Sequence, residues 1–208
     1  MPWSREGLER LIRREIRDER VVAAFRRVDR GDFVPPDARS EAYRDRPVAI
    51  PEGQTTSQPS LIARMVEVLE PRPDHRILEI GTGLGFQTAL LAGLCKEVVS
   101  MERWGTLAEL ARANLAAAGI ENAEVIVGDG WKGCPDKAPF YGIVVSAAAT
   151  DVPEPFVHQL VEGGRLVIPV KRGGSDEVRL YRKSGDALEP VRLVTPARFV
   201  PLVKEEDS

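Results

Sequence analysis

The chain has 208 residues, 43% of them apolar and 29% charged, with a formal net charge of −3. That length favours one domain burying roughly 70% of the surface its unfolded form exposes, and the acidic balance argues against a general polyanion binder, which needs excess positive charge. Cys95 and Cys134 form neither a CxxC nor a CxxH group, no run approaches the ~18 apolar residues of a membrane span, and the N-terminus lacks a signal peptide's apolar segment, so the expectation is a cytoplasmic protein without metal site, disulfide framework or membrane anchor.

Residues 5 to 30 place Leu8, Leu11, Ile12, Ile16, Val21, Val22, Phe25 and Val28 at helical spacing, with Arg and Glu between them. The pattern predicts an amphipathic helical arm, broken near Asp18 and ended by Pro35–Pro36, which cannot continue a helix. Residues 37 to 57 read as an irregular, proline-rich crossing to the core. A helix is then expected from near Ser57, with Pro59 in its first turn and Leu61, Ile62, Met65, Val66 and Leu69 on one side. From residue 76 the pattern alternates. "RILEIG", "EVVSME", "AEVIVGD", "YGIVVSAA" and "RLVIPV" read as strands, and "FQTALLAGL", "LAELARANLAAAG" and "PEPFVHQLVEGG" as the helices between them. The strands are continuous apolar runs, which predicts burial on both faces and a doubly wound, mostly parallel α/β sheet. "EVRLYRKS" and "LEPVRLVTPARFVPLV" read as a closing antiparallel pair. The expected organisation is a single domain over 1–208, with an arm and irregular substrate-side segment over 1–57 and a core over 58–208.

In such a sheet ligands bind beyond the carboxyl ends of the strands, where strand order reverses. The first core strand ends in "LEIGTGLGFQT", with glycines at 81, 83 and 85; Phe86 stands where the dinucleotide fingerprint needs its third glycine. Glu79 lies two residues before Gly81, Glu102 ends the next strand where an acid meets ribose hydroxyls, and Asp129 ends the third, placed to accept from an adenine amino group. Each acid alone is more often a solvated strand end or a cap. Three at successive strand ends beside a glycine turn point to a nucleoside. The missing fingerprint glycine and the acids suit S-adenosylmethionine, which has a sulfonium and no pyrophosphate, better than a dinucleotide.

Several further stretches, in order, resemble the protein-L-isoaspartate O-methyltransferase family: "FVPP", "AYRDRPVAI", "GQTTSQPSLIARMVEVL", "ILEIGTGLGFQTALLA", "VIVGDGWKG", "APFYGIVVSAAA", "QLVEGGRLVIPV" and "RFVPL". The glycine turn is generic for methyltransferases, whereas "TTSQP", "GDGWKG" and "RFVPL" are specific to the family. The resemblance implies a Rossmann-like methyltransferase fold. It also implies a repair enzyme that methylates the α-carboxylate of L-isoaspartyl residues in damaged proteins and peptides. S-adenosylmethionine is the donor and S-adenosylhomocysteine the product, and the ester then closes to a succinimide. Carried over, Ser57 matches the active-site serine, with Thr55 and Thr56 beside it. Gly81, Gly83, Glu102, Asp129 and Gly130 match the cofactor positions, with Glu79 and Thr82 beside them also expected to serve the cofactor, and Ala147 and Ala148, with "RFVPL", match the segments around the substrate cleft. No metal is implied, and neither a nucleic-acid nor a membrane partner; a monomer is expected. The chain departs from the family's usual small polar residue at Leu84, its usual tyrosine at Phe86 and its usual proline at Thr150.

The resemblance also gives a purpose to the neutral tract "QTTS". The acceptor's reference pKa is near ~3.5, so it is ionised at pH 7 and requires no general base. Placement of a carboxylate oxygen is the task, and hydroxyls near a helix N-terminus suit it without quenching the nucleophile. A capping role for Ser57 at the helix near Pro59 is the plainer alternative. Other readings are a methyltransferase for a different acceptor, a cofactor-binding homologue without turnover, and a dinucleotide oxidoreductase, the last disfavoured by the glycine spacing.

Overall fold

The computed structural model describes residues 4–204. Its N-terminal arm is two helices, α1 (Arg5–Glu15) and α2 (Glu19–Arg27), broken where the sequence pattern breaks. Asp18 caps α2 by accepting the Arg20 amide, and the Glu67 carboxylate accepts the amides of Arg17 and Asp18 at 2.6 and 2.9 Å. The donors left free at the break are thereby satisfied. Leu8, Ile12, Val21, Val22 and Phe25 enter one apolar cluster with Ile62, Met65 and Val66 of α3 (Pro59–Leu69). Phe86 receives Phe25 edge-on with ring centroids 5.7 Å apart and Phe33 at 6.0 Å. The apolar residue that displaces the fingerprint glycine is therefore the anchor that ties the arm to the glycine turn.

The segment expected to be irregular contains one 3-10 turn, Pro36–Glu41, and a hairpin of β1 (Val48–Ala49) with β2 (Thr55–Thr56), its turn carrying Glu52 and Gly53 at φ 60° and 64°. Two-residue strands leave no period-2 pattern to read. Ile50 beside the hairpin packs with Leu84 and Leu107 into a small buried cluster, so the apolar Leu84 pins the hairpin to the glycine turn.

β3 (Arg76–Ile80), β4 (Glu97–Glu102), β5 (Ala123–Val127), β6 (Phe140–Val145), β7 (Leu160–Arg172), β8 (Ser175–Ser184) and β9 (Ala187–Ala197) form one sheet in the order β5-β4-β3-β6-β7-β8-β9. The pairs from β5 to β7 are parallel, while β7–β8 and β8–β9 are antiparallel. Between the parallel strands lie α4 (Phe86–Ala92), α5 (Gly105–Ala117) and α6 (Pro155–Gln159). The helix expected over residues 153–164 is shorter than its pattern. It stops at Gln159, because Leu160 pairs with Phe140 and the register then jumps to Arg165 opposite Gly142. The sheet thus claims Leu160 and makes the intervening Gly163–Gly164 a bulge, not a helix end. Strand order reverses about β3: the chain runs outward through β4 and β5 and returns beside β3 as β6. Among the described residues no helix is long and apolar enough to cross a membrane.

Candidate active site

At the reversal, the Ser146 amide donates to the Ile80 carbonyl and the Gly81 amide to the Met101 carbonyl, both at 2.8 Å, so three strand ends are drawn together beneath the glycine turn. Gly81, Gly83 and Gly85 have φ of 94°, 57° and 94°, values that L side chains adopt only at a cost. Above this turn lies a cavity of about 550 Å³. Its wall includes Thr55, Thr56, Ser57, Gly81, Thr82, Gly83, Glu102, Gly130 and Ala147. Nine of the residues singled out from sequence are thus brought to one surface.

Three others stand one layer behind it. Glu79 is wholly buried and accepts from Gln87 Nε2 at 2.9 Å, Ser100 Oγ at 2.7 Å and the Thr88 hydroxyl. Burial pushes its carboxyl up to about 7, against the pull of those three donors. Asp129 caps the 3-10 turn Gly130–Lys132 by accepting the Trp131 amide at 2.9 Å, and so holds Gly130 at the wall. A Cβ on Gly130 would stand 2.4 Å from Ile80 Cγ2, so backbone alone fits there. Ala148 exchanges backbone hydrogen bonds with the chain end: its amide donates to the Val200 carbonyl and the Leu202 amide donates to its carbonyl, both at 2.8 Å. The "AAA" and "RFVPL" segments are joined in this way, and Val200 to Val203 close one side of the cavity.

Glu102 is the carboxylate that does reach the wall. Its Oε2 accepts the Gly83 amide at 2.8 Å and its Oε1 the Trp104 amide at 3.1 Å, leaving each oxygen a further lone pair for a ligand. Gln87, Ser100 and Ser146 were not apparent from sequence. Gln87 Nε2 also donates to Ser146 Oγ at 3.1 Å, while Gln87 Oε1 is buried with no hydrogen-bond partner among the described residues. Ser100 Oγ lies 2.6 Å from Thr82 Oγ1. The available signal was a polar residue inside an apolar run, Ser100 in "EVVSME" and Gln87–Thr88 in "FQTALLA". Trp131 packs against the sheet with the Lys204 ammonium 4.3 Å over its ring and is not on the cavity wall.

A second cavity, of about 180 Å³, adjoins the first. Thr55, Ser57, Ser146 and Val200 line both, so the partition between them is neutral and carries three hydroxyls. Arg64, paired with Glu15, and the exposed Arg198 lie on the wall of the second cavity, as does Phe199. Thr150 is exposed and lines neither. Ser57 does not cap α3. Gln58 holds the N-cap position without a side-chain bond, and Asp45 stands in for a cap by accepting the Ser60 amide at 2.9 Å and the Ser60 hydroxyl at 2.8 Å. The hydroxyls of Thr55, Thr56 and Ser57 make no hydrogen bond to another described residue.

The family model described as protein-L-isoaspartate(D-aspartate) O-methyltransferase matches residues 4–207. A protein-L-isoaspartate O-methyltransferase of Methanoculleus marisnigri is 50% identical over 191 residues, 91% of this chain and 86% of the relative. That of Methanoregula boonei is 47% identical over 190 residues, 91% and 87% of the two chains. Among solved structures, a protein-L-isoaspartate O-methyltransferase superposes with a TM-score of 0.85 at 30% identity, covering 95% of this chain, which spans 65% of that one. A putative enzyme of that type from Plasmodium falciparum, in complex with S-adenosyl-L-homocysteine, superposes at 0.80 with 27% identity over 97% of this chain and 98% of its own.

Proposed function

The chain belongs to the protein-L-isoaspartate(D-aspartate) O-methyltransferase family, and we propose that it transfers a methyl group from S-adenosylmethionine to the α-carboxylate of L-isoaspartyl residues in damaged proteins and peptides, opening their repair through a succinimide. The observation that carries the reading is Ser57 on the neutral partition shared by the two cavities. A methyl group passing from a donor in the larger cavity to an acceptor in the smaller one crosses at that wall.

The residues fit S-adenosylmethionine. The glycine turn and Gly130 admit close backbone approach, Glu102 keeps acceptor capacity for ribose hydroxyls, and the buried, unpartnered Gln87 Oε1 is an acceptor suited to an amino group. When bound, the cofactor supplies an electrophilic methyl group on a sulfonium. Glu79 and Asp129 contribute at second hand, Glu79 by orienting Gln87 and Asp129 by holding the turn at Gly130. On the acceptor side the Ser57 hydroxyl, aided by Thr55 and Thr56, orients an isoaspartyl carboxylate that is already ionised at neutral pH. No side chain has to remove a proton, so the partition does its work by alignment and exclusion of water. Ala148 holds the chain end that borders the peptide site, and Ala147 lines the larger cavity.

In this reading residues 1–57 serve the substrate side and 58–208 the cofactor core of one domain. In the same reading the protein acts as a cytoplasmic monomer on protein substrates and not on nucleic acid or membrane; its net charge of −3 supports the exclusion of polyanions. Methyl incorporation is tested on two synthetic peptides that differ only in isoaspartate or aspartate at one position. Methylation of the isoaspartyl peptide alone is expected; labelling of neither, with cofactor bound, would refute the acceptor.

A further inference from the structure

Arg30 is the single buried arginine or lysine among the described residues, 1% exposed at the start of the 3-10 turn Arg30–Phe33. No carboxylate among them lies within ion-pair distance of it; the charge is met instead by main-chain carbonyls. Nη1 donates to Ala42 at 2.8 Å and Arg44 at 3.4 Å, and Nη2 to Arg46 at 3.3 Å and Ser57 at 3.0 Å. The guanidinium also lies 5.9 Å from the centroid of the Phe86 ring, next to the glycine turn. Burial lowers its pKa to about 10, which leaves it charged at neutral pH. A buried charge without an ion-paired partner is costly unless its donors are met. The two terminal nitrogens of the planar fork meet four carbonyls, the Asp45 carboxylate adds a longer-range attraction, and Nε is left buried with no hydrogen-bond partner among the described residues.

These contacts form a closed frame around Ser57. Arg30 holds the Ser57 carbonyl directly. It also holds the carbonyls on either side of Asp45, and Asp45 in turn clamps Ser60, three residues beyond Ser57. We propose that Arg30 is a positioning residue for methyl transfer, fixing the backbone of Ser57 from behind so that its hydroxyl stays at the partition between the two cavities. The proposal rests on the reading of Ser57 given above. It separates two duties that one arginine in the cleft would confuse: the cation orders the acceptor site while its charge is spent on carbonyls, out of reach of the carboxylate nucleophile.

The test is a double-mutant cycle of R30M and S57A, assayed with an isoaspartyl peptide below the melting temperature of every variant, with cofactor affinity measured by calorimetry. R30M is expected to lower kcat by about 10²-fold, the scale of a small misplacement of a reacting group, with the cofactor Kd within about twofold. In the S57A background the same change is expected to lower kcat by less than about twofold, since residues acting as one unit are not additive. A merely structural arginine would move melting temperature and cofactor affinity together and act equally in both backgrounds. Additive losses, or unchanged kcat in folded R30M, overturn the proposal. An S57A variant with full turnover refutes instead the role of Ser57, so the two failures are distinguishable. Should R30M not fold, R30K, which keeps the charge with three hydrogens, enters the same cycle with the same criteria.

Discussion

Replacing Glu79 by glutamine isolates the cost of a carboxylate beneath the cofactor turn. In the folded protein the group titrates at about 7, against 4.5 for an unburied glutamate, because burial outweighs the donors of Thr88, Ser100 and Gln87. The folded state therefore holds the proton more tightly than the unfolded state. Below pH 4.5 both states are protonated and the contribution of Glu79 to stability is fully present. As pH rises through 7 it is lost, because the unfolded chain ionises freely while the folded one must bury a charge. A gap of about 2.5 pH units corresponds to about 3 kcal/mol lost across the window. Glutamine is nearly isosteric and does not titrate, but its amide nitrogen faces at least one of three donors, a pH-independent penalty of about 1–3 kcal/mol. Urea melts of both proteins between pH 4.5 and 7.5 give the difference directly, and other titrating groups cancel in it. The stability of the unsubstituted protein relative to E79Q should fall by about 3 kcal/mol over that range. A difference constant with pH would refute the argument and show that Glu79 stays ionised throughout.

Three other perturbations are read from the same geometry. S57A should lower turnover on an isoaspartyl peptide by about 10²-fold with cofactor affinity nearly unchanged, as checked by steady-state kinetics beside calorimetric titration. G130A forces a methyl group to within 2.4 Å of Ile80 Cγ2 and should cost about 1–3 kcal/mol as overpacking, with weaker cofactor binding because Ile80 lines the larger cavity. F86A empties the aromatic site where Phe25 and Phe33 converge and should cost about 3–5 kcal/mol, visible as a lower calorimetric melting temperature.

The parallel core was legible because its strands are unbroken apolar runs closed by glycine and acid, a pattern that local sequence carries in full. The wall residues at the glycine turn were legible for the same reason. The hairpin at Thr55–Thr56 was not, since its strands are too short for periodicity and it is held by Ile50 against Leu84 and Leu107, residues 34 and more positions away. The end of α6 was misread because Leu160 satisfies helical spacing and sheet pairing equally, and Phe140 decides between them. Glu79 and Asp129 were legible as acids at strand ends, but which face they served depended on donors from α4 and from the turn they cap. Arg30 was invisible for a stronger reason: its partners are carbonyls, which every residue has, so no residue type at 42, 44, 46 or 57 announces the contact.

The placement of charge around the partition follows from the nucleophile. A carboxylate with a reference pKa near ~3.5 is ionised without help, so a base would add nothing and a cation in contact would lower its reactivity. The partition itself holds only hydroxyls and a valine. Four ionisable groups around it are engaged with backbone or with another side chain: Glu102 with two amides, Arg30 with four carbonyls, Asp45 with a helix N-terminus, Arg64 with Glu15. The exposed Arg198 stands apart from them on the wall of the smaller cavity. These four charges fix where neutral groups stand. Mutating a charge here should therefore act on kcat through geometry and leave the protonation steps of the pH–rate profile where they were, while the neutral partition governs the alignment of the carboxylate itself.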